Sequence, residues 1–263
     1  MEFNYLDKIL NKKREKLNFL KKKLNLRDLN NKIDKFDKYL DFKETINSNF
    51  LKGKLSLIAE IKKASPSAGV IIEDYKPAEI AAIYQKNNAT CLSVLTEEDF
   101  FNGNLNHISK IKEHVNLPVL CKDFFIDKYQ IPLAKSFGAD AILLIVAALN
   151  QNQLEELYNT ALEYRMSVII EIHTIEEAKR ITSYNDAMIG INNRDLKTLK
   201  TDLNNTFEIY KTLNNFDGIL ISESGLKNKD DVLKISNQTN IKTFLIGESL
   251  LKNLDTNSIF SLL

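Results

Sequence analysis

From residue 55 onward, short apolar runs alternate with longer stretches in which apolar residues recur every three or four positions. The short runs are rich in β-branched residues and predict strands at 55–61, 90–95, 118–121, 141–146, 167–172, 187–191, 218–221 and 243–246. The longer stretches predict helices at 77–86, 105–114, 154–164, 175–183 and 206–213. Because the short runs are continuously apolar, both faces of the sheet must be buried, which is typical of parallel strands joined by helices.

Eight strand–helix units in about 210 residues predict an α/β fold, the (β/α)8 TIM barrel. Helix starts carry the expected signals: Pro77 at a first helical position, Thr174 three residues before Glu177, and Asn228 before an acidic turn. An open, doubly wound sheet is the alternative. That fold usually has a Gly-rich phosphate loop after its first strand, whereas this chain continues with KKASP at 62–66.

The residues before the first strand form a basic, amphipathic segment. Residues 1–54 contain 15 Lys and Arg against 8 Asp and Glu, a net charge of +7, although the whole chain is at +1. Apolar Tyr5, Ile9, Leu10 and Leu17 follow helical spacing among these charges. A nucleic-acid-binding segment is the alternative from another functional class, but no aromatic stacking platform accompanies the lysines. We therefore predict one barrel domain over 1–263, in which 1–50 is an N-terminal helical extension that helps to cover the mouth.

Composition narrows the class of protein. Hydrophobic residues make up 44% and charged residues 27%, as in an ordinary globular chain. No apolar run approaches the ~18 residues of a membrane span, and the first residues lack the layout of a signal peptide. Cys91 and Cys121 fall inside apolar runs, which favours buried, reduced thiols. We expect a cytoplasmic protein that binds neither membrane nor nucleic acid.

Polar residues end most of the predicted strands, where barrel enzymes carry their active sites. These residues are Glu60 and Lys62, Lys122 and Asp123, Glu171, Asn192 to Arg194, Glu223, and Glu248. A structural ion pair between Glu60 and Lys62 is the alternative for that pair. No His or Cys pair has the spacing of a metal site, so we expect no metal. His107 and His114 lie on a helical stretch away from the mouth, and His173, two residues beyond Glu171, is a minor candidate.

The last two strands end in turns that contain glycine, SESG at 222–225 and IGES at 246–249. Barrels often bind phosphate at this corner, because glycine lets the backbone N–H groups approach the anion closely. Ser224 and Ser249 add a hydroxyl to each turn, close in sequence to its glycine. The sequence therefore predicts a phosphate site between the last two strands.

The segment IAEIKKASPSAG at 58–69 resembles the signature of the indole-3-glycerol phosphate synthase family. Further motifs follow in the family's order: SVLTEEDFFNG at 93–103, PVLCKDFFID at 118–127, IIEIHT at 169–174, IGINNRDLKT at 189–198, ISESG at 221–225 and FLIGESL at 244–250. The resemblance spans essentially the whole chain. It departs at Ala68, where the family commonly has a peripheral lysine. It implies a lyase that converts 1-(2-carboxyphenylamino)-1-deoxyribulose 5-phosphate to indole-3-glycerol phosphate, releasing CO2 and water without a metal or organic cofactor.

The resemblance also implies roles for the catalytic residues. Lys122 protonates the substrate ketone during ring closure, Lys62 lies near the carboxylate and the departing hydroxyl, and Glu171 serves as an acid or base in dehydration. We expect desolvation and nearby cations to lower the pKa of Lys122 toward neutrality. Phe124 follows Lys122 by two residues and is expected to line the pocket for the anthranilate ring.

The remaining site residues position the substrate in this interpretation. Glu60 and Asn192 orient its hydroxyls and hold the lysines, Glu223 lies near its amine, and Arg194 supports the anthranilate end or the loop that carries Asn192. The phosphate-binding positions are Ser65, Ser224, Gly225, Gly247 and the main chain of Glu248.

Other phosphosugar barrels remain alternatives. An isomerase would require an acid–base Asp at the end of the first strand, where this chain has Glu60. A Schiff-base aldolase would use Lys122 as a covalent nucleophile. The expected partner is a small phosphorylated substrate, bound by a monomer.

Overall fold

A computed structural model of the chain describes residues 5–196, 198–213, 215–254 and 256–263, and in these residues eight parallel strands close into a barrel. The strands are β1 (Ser56–Ile61), β2 (Cys91–Leu95), β3 (Val119–Lys122), β4 (Ala141–Ile145), β5 (Ser167–Ile172), β6 (Met188–Asn192), β7 (Leu220–Glu223) and β8 (Thr243–Ile246). Closure occurs at β1, where Ile58 pairs with Cys91 of β2 and with Leu245 of β8. The predicted (β/α)8 barrel is confirmed.

Helices precede the barrel and alternate with its strands. They are α1 (Tyr5–Lys23), α2 (Leu26–Asp34), α3 (Phe42–Leu51), α4 (Pro77–Lys86), α5 (Asn106–His114), α6 (Gln130–Ser136), α7 (Gln151–Glu163), α8 (Ile175–Arg180), α9 (Asn204–Thr212), α10 (Lys229–Gln238) and α11 (Glu248–Lys252). Short 3-10 helices cover Val146–Ala148 and Ser258–Leu262. A small antiparallel hairpin, Ala64–Ser65 with Gly69–Val70, follows β1 and was not predicted. No helix in the described ranges has the length and apolar composition of a membrane span.

The predicted helix starts are confirmed by their caps. Pro77 is the first residue of α4, and the Thr174 hydroxyl accepts a hydrogen bond from the Glu177 N–H at the start of α8. The Asn228 side chain accepts from the first N–H groups of α10. Side chains thus satisfy donors that the helix itself leaves unpaired. The predicted C-terminal ends of β3, β6 and β7 come one or two residues too early, because sheet pairing continues to Lys122, Asn192 and Glu223.

The barrel interior is an apolar cluster that α3 seals at the N-terminal end of the strands. Phe42 and Ile46 of α3 are fully buried in the same cluster as Cys91, Ala141 and Met188, the first residues of β2, β4 and β6. The opposite face of each strand packs against the outer helices. Burial on both faces explains the continuous apolar runs of the sequence.

Helix α1 lies against the loops that follow β2 and β3, held by apolar contacts and ion pairs. Leu17 packs with Tyr129 and Leu133, and Lys13 forms an ion pair of 2.5 Å with Asp123 in which both side chains are about nine-tenths buried. The more exposed pairs join Lys16 to Glu98 and Asp99, and Lys21 to Asp127. The predicted extension begins at residue 1, and residues 1–4 lie outside the described residues. The basic character of α1 therefore matches acidic loops of its own barrel.

Removal of the Lys13 ammonium group should destabilise the protein. Lys13→Met should lower the free energy of unfolding by about 3–5 kcal/mol, because it leaves the buried Asp123 carboxylate without its cation. Lys12→Met is the matched control, since Lys12 pairs with Glu15 at the exposed surface of the same helix, and it should change the free energy of unfolding little. Denaturant titrations measure both. Equal unfolding midpoints for the two variants would contradict a stabilising role for the buried pair.

Candidate active site

The polar strand ends meet inside the barrel mouth because of the alternation of side chains along a strand. Residues two apart in a strand point to the same face. An apolar residue of the interior cluster is followed two residues later by a charged residue in each of four strands. The pairs are Ile58 and Glu60, Leu120 and Lys122, Ile169 and Glu171, and Ile221 and Glu223. Asp123 and Asn193 have the opposite parity and lie outside the barrel wall, where they bind Lys13 and Thr206.

The described residues line two adjoining cavities above this cluster, one polar, of about 660 Å3, and one mostly apolar, of about 150 Å3. The cavities share Glu60, Lys62, Lys122, Arg194 and Ser224. The predicted site residues that line one or both are Glu60, Lys62, Ser65, Lys122, Phe124, Glu171, Asn192, Arg194, Ser224, Gly225, Gly247 and Glu248. The fold thus brings nearly all of the predicted site together.

Glu60 joins the two lysines at the centre of the mouth. Its Oε1 contacts the Lys62 ammonium group, and its Oε2 lies 2.9 Å from Lys122 Nζ. Burial alone would raise the pKa of Glu60, but the charges of Lys122 and Lys62 outweigh it and lower the pKa to about 2. The ion pair between Glu60 and Lys62 considered from the sequence is therefore present, and it belongs to a three-residue cluster.

Lys122 differs from the sequence-based expectation in its ionisation. Burial alone would lower its pKa, but the carboxylates of Glu60, Glu223 and Glu171 surround the ammonium group and raise its pKa above the ordinary 10.5. The expected lowering toward neutrality is wrong for the ligand-free protein, because the nearest charges are carboxylates and not cations. Lys122 is consequently protonated before substrate arrives.

Glu171 lies between the cavity and a histidine that the sequence analysis treated as minor. His173 Nε2 lies 3.2 Å from Glu171 Oε1, and His173 Nδ1 lies 3.5 Å from Glu177 Oε2. Burial raises the pKa of Glu171, but hydrogen bonding and charge from His173, together with Lys122 and Asn192, lower it to about 2. The sequence signal for this arrangement is the pattern E-x-H-x-x-x-E at 171–177, in which the second Glu belongs to the first turn of α8.

Glu223 is the predicted site residue that does not reach either cavity. It is fully buried beneath the mouth with Oε2 3.6 Å from Lys122 Nζ, in space that exists because Gly190 of β6 has no side chain. Burial and the charge of Glu171 raise the pKa of Glu223 to about 8. The side chain that was expected near the substrate amine therefore contacts Lys122 beneath the mouth.

The polar cavity has the features of an anion site. Ser224 and Gly225 both have positive φ, of 66° and 80°, which makes a sharp turn directly after β7. Gly247 and Glu248 form the neighbouring wall, and a Cβ at Gly247 would collide with Glu60. The cations that line this cavity are Lys62, Lys122, Arg194, Lys227 and Lys252. The sequence analysis missed Lys227 and Lys252, although Lys227 follows Gly225 by two residues.

The apolar cavity can take an aromatic ring. Phe101 and Phe124 line it with ring centroids 6.4 Å apart, Leu143 and Ile145 come from β4, and Ile9 comes from α1. Ser65 lines this cavity and not the polar one, and its hydroxyl accepts a hydrogen bond from the Ala68 N–H. The predicted phosphate contact of Ser65 therefore lacks support, because the hairpin after β1 carries it to the apolar side.

Within the described ranges, no group of three or more His, Cys, Asp or Glu side chains could hold a metal ion, either at this mouth or elsewhere.

A barrel mouth that joins an apolar pocket to a cationic one through buried lysine–carboxylate pairs is typical of an enzyme and suits a substrate with an aromatic and an anionic end. The family model described as "Indole-3-glycerol phosphate synthase" matches residues 6–262. The chain belongs to the indole-3-glycerol phosphate synthase family, whose members are lyases of tryptophan biosynthesis.

Individual relatives agree with this family. The indole-3-glycerol phosphate synthase of Prochlorococcus marinus subsp. pastoris is 45% identical over 262 residues, which cover 98% of this chain and 88% of the relative. The Acinetobacter baylyi enzyme of the same name is 40% identical and covers 97% of this chain and 94% of the relative. Among solved structures, the tryptophan synthase α subunit of Legionella pneumophila aligns with a TM-score of 0.60 at 13% identity, covering 84% of this chain and 94% of that one. This last similarity concerns the fold alone.

A methyl group at the turn after β7 should weaken phosphate binding. Gly225→Ala adds a Cβ to a residue with φ of +80°, so the turn must shift and its N–H groups move away from the anion. We expect binding of the phosphorylated substrate to weaken about ten-fold or more, the scale of one lost charge-assisted hydrogen bond. Gly53→Ala is the control, since Gly53 has a φ of +68° in open space beyond α3. Titration with the substrate measures both, and equal affinities would contradict a phosphate site at this corner.

Proposed function

We propose that the chain converts 1-(2-carboxyphenylamino)-1-deoxyribulose 5-phosphate to indole-3-glycerol phosphate, with release of CO2 and water. The observation that carries this proposal is the position of Lys122 and Glu60 at the junction of the apolar and the cationic cavities. In this proposal the carboxyphenyl ring occupies the apolar cavity beside Phe101 and Phe124, and the phosphate lies beside Gly225. The reacting carbons then lie next to the buried charges.

Ring closure is the step that requires Lys122. An aromatic carbon attacks the substrate ketone, and the ketone oxygen takes up negative charge as the new carbon–carbon bond forms. The Lys122 ammonium group donates its proton to this oxygen, and Glu60 holds Nζ from below at 2.9 Å. A high pKa suits this role, because the developing alkoxide is a stronger base than a lysine amine and because Lys122 is always protonated when the substrate binds.

Decarboxylation and dehydration complete the reaction. Lys62 and Ser65 line the apolar cavity and supply a cation and a hydroxyl for the substrate carboxylate, which leaves as CO2 and restores the aromatic ring. The hydroxyl formed from the ketone then departs as water with a proton from Lys62. Glu171 is ionised in the free protein. It accepts the proton that the new five-membered ring must also lose in the dehydration.

Arg194 and Asn192 act as positioning residues in this proposal. The Arg194 guanidinium donates to Ser67 Oγ at 2.6 Å, which ties the hairpin after β1 to the loop after β6. The Arg194 N–H donates to Asn192 Oδ1 at 3.0 Å. Closure of the hairpin keeps Lys62 and Ser65 over the cavity, and water is excluded from the reacting carbons.

We also propose that the protein acts as a cytoplasmic monomer that does not bind nucleic acid. The support for the last point is that Lys13, Lys16 and Lys21 of the basic segment already pair with acidic side chains of the barrel. The buried, free thiols of Cys91 and Cys121 are in keeping with a reducing compartment. Light scattering tests the monomer, and salt-dependent retention on immobilised DNA tests nucleic-acid binding.

Two variants should separate the proton transfers. Lys122→Ala should lower kcat at least ~10²-fold, the usual scale for a positioned proton donor, with little change in substrate affinity because the phosphate and carboxylate contacts remain. Glu171→Gln keeps the shape of the side chain but cannot accept a proton, so a closed-ring, decarboxylated intermediate should accumulate. Rapid-quench chromatography detects this intermediate.

The control for the lysine variant is Lys110→Ala, at an exposed position of α5, which should leave kcat unchanged. Near-normal turnover by Lys122→Ala would contradict the proposed acid. Accumulation of the same intermediate in both variants would contradict the division of steps between Lys122 and Glu171. Borohydride trapping of Lys122 with the substrate would instead indicate Schiff-base chemistry.

A further inference from the structure

His173 belongs to a row of three ionisable side chains that leads away from the cavity, Glu171, His173 and Glu177. Its ring stands between the carboxylates of Glu171 and Glu177, with Nε2 3.2 Å from the first and Nδ1 3.5 Å from the second. The side chain is 7% exposed, and it is not among the described residues that line either cavity. The reaction steps above do not use it. A buried imidazole with a carboxylate at each nitrogen therefore requires its own explanation.

The main chain holds this arrangement in place. The His173 N–H donates to Glu177 Oε2 at 2.6 Å, and the Thr174 hydroxyl caps the Glu177 N–H. Asn205 donates from Nδ2 to the His173 carbonyl oxygen at 3.1 Å and to the Asn192 carbonyl oxygen at 3.0 Å. The first turn of α8 and the first turn of α9 thus fix the ring relative to the end of β5.

The charged groups that face His173 are the two carboxylates. On α8, Glu176 and Lys179 point to solvent, and Arg180 donates to the carbonyl oxygens of Val146 and Leu149. On α9, Glu208 and Lys211 pair with each other at the surface. Lys122 acts on the far side of Glu171, from within the cavity. The charges nearest to the His173 ring are therefore those of Glu171 and Glu177.

We propose that His173 is a positioning residue that keeps Glu171 ionised and directed into the cavity, and that Glu177 keeps His173 in its imidazolium form. This inference rests on the proposed function, in which Glu171 must be a carboxylate to accept the ring proton. A base buried in a barrel mouth tends to take up a proton and become inactive, because burial disfavours its charge. A fixed cation on its outer side opposes this tendency and leaves the inner oxygen available.

The ionisation of the pair agrees with this role. Burial would lower the pKa of His173, but the adjacent carboxylates of Glu171 and Glu177 raise it to about 10, whereas the pKa of Glu171 is lowered to about 2. The raised pKa of His173 means that the imidazolium is lost only as pH rises through about 10. The lowered pKa of Glu171 means that the carboxylate is lost only as pH falls through about 2. Between these limits both members of the pair are charged.

The pH dependence of turnover tests the proposal. In His173→Gln the pKa of Glu171 should rise above its ordinary 4.5, because burial remains and the cation is gone. The kcat profile should therefore acquire an acid limb at mildly acidic pH, where the unaltered protein stays flat, and kcat on that limb should fall about ten-fold for each unit of pH. KM should change little, because the ring does not line the cavities. A merely structural role would lower kcat equally at every pH.

Glu177→Gln provides a second variant, which leaves the Glu171 carboxylate and the His173 imidazole in place. The glutamine oxygen still accepts the His173 main-chain N–H, but the charge that supports the imidazolium is lost, so the His173 ring should lose its proton at a lower pH. Glu176→Gln is the matched control, one residue earlier in the same turn and exposed, and its profile should match that of the unaltered protein. If His173→Gln does not fold, Glu177→Gln decides the question.

Imidazole NMR gives a readout that is independent of turnover. The chain has three histidines, so the signal that disappears in His173→Gln is assigned to His173. This signal should titrate far above the ordinary range of histidine and shift downward in Glu177→Gln. A kcat profile of His173→Gln that stays flat at acidic pH, or a His173 signal that titrates near its ordinary 6.5, would overturn the proposal. Full turnover by Glu171→Gln would instead refute the proposed function, and the two failures are thus distinguishable.

Discussion

The barrel mouth depends on one buried carboxylate, that of Glu60, which contacts the ammonium groups of Lys62 and Lys122 at the same time. Without this carboxylate, two ammonium groups this deep would repel each other, since burial disfavours unpaired charge. With Glu60 in place, both ammonium groups are held at the junction of the two cavities. The Glu60 side chain points into the mouth because it lies two residues beyond Ile58 and therefore shares the inner face of β1 with it.

The carboxylates of the mouth are not equivalent, and this difference limits the negative charge beside the two lysines. Glu60 and Glu171 each face cations and are ionised, whereas Glu223 lies beneath them with a pKa raised to about 8 and is mostly protonated at neutral pH. Lys62 and Lys122 are therefore opposed by fewer negative charges than the number of Glu side chains indicates. This balance of charge suits a substrate with two anionic groups, a carboxylate and a phosphate.

Much of this arrangement follows from the sequence, and the exceptions have physical causes. The apolar runs and their polar ends predicted the barrel, and the strand-end pattern led to Glu60, Lys122 and Glu171. The pKa of Lys122 was predicted in the wrong direction, because strand ends indicate which residues meet but not which charges are nearest. The positions of Ser65 and Glu223 could not be read from strand ends, because an unpredicted hairpin carries Ser65 to the apolar cavity and the missing side chain at Gly190 makes space for Glu223. His173 was undervalued because its two partners lie on different elements, the end of β5 and the first turn of α8.

The docking of α1 has a consequence for the order in which the chain assembles during synthesis. The acidic partners of its lysines, Glu98, Asp99, Asp123 and Asp127, all lie within β2, β3 and the loops that follow them. By contrast, β1 pairs with β8, whose residues are made nearly two hundred positions after it. The basic helix can therefore settle on the first half of the barrel while β1 still has an open edge. The edge of β1 that faces β8 stays unpaired until the last strand emerges and the barrel closes.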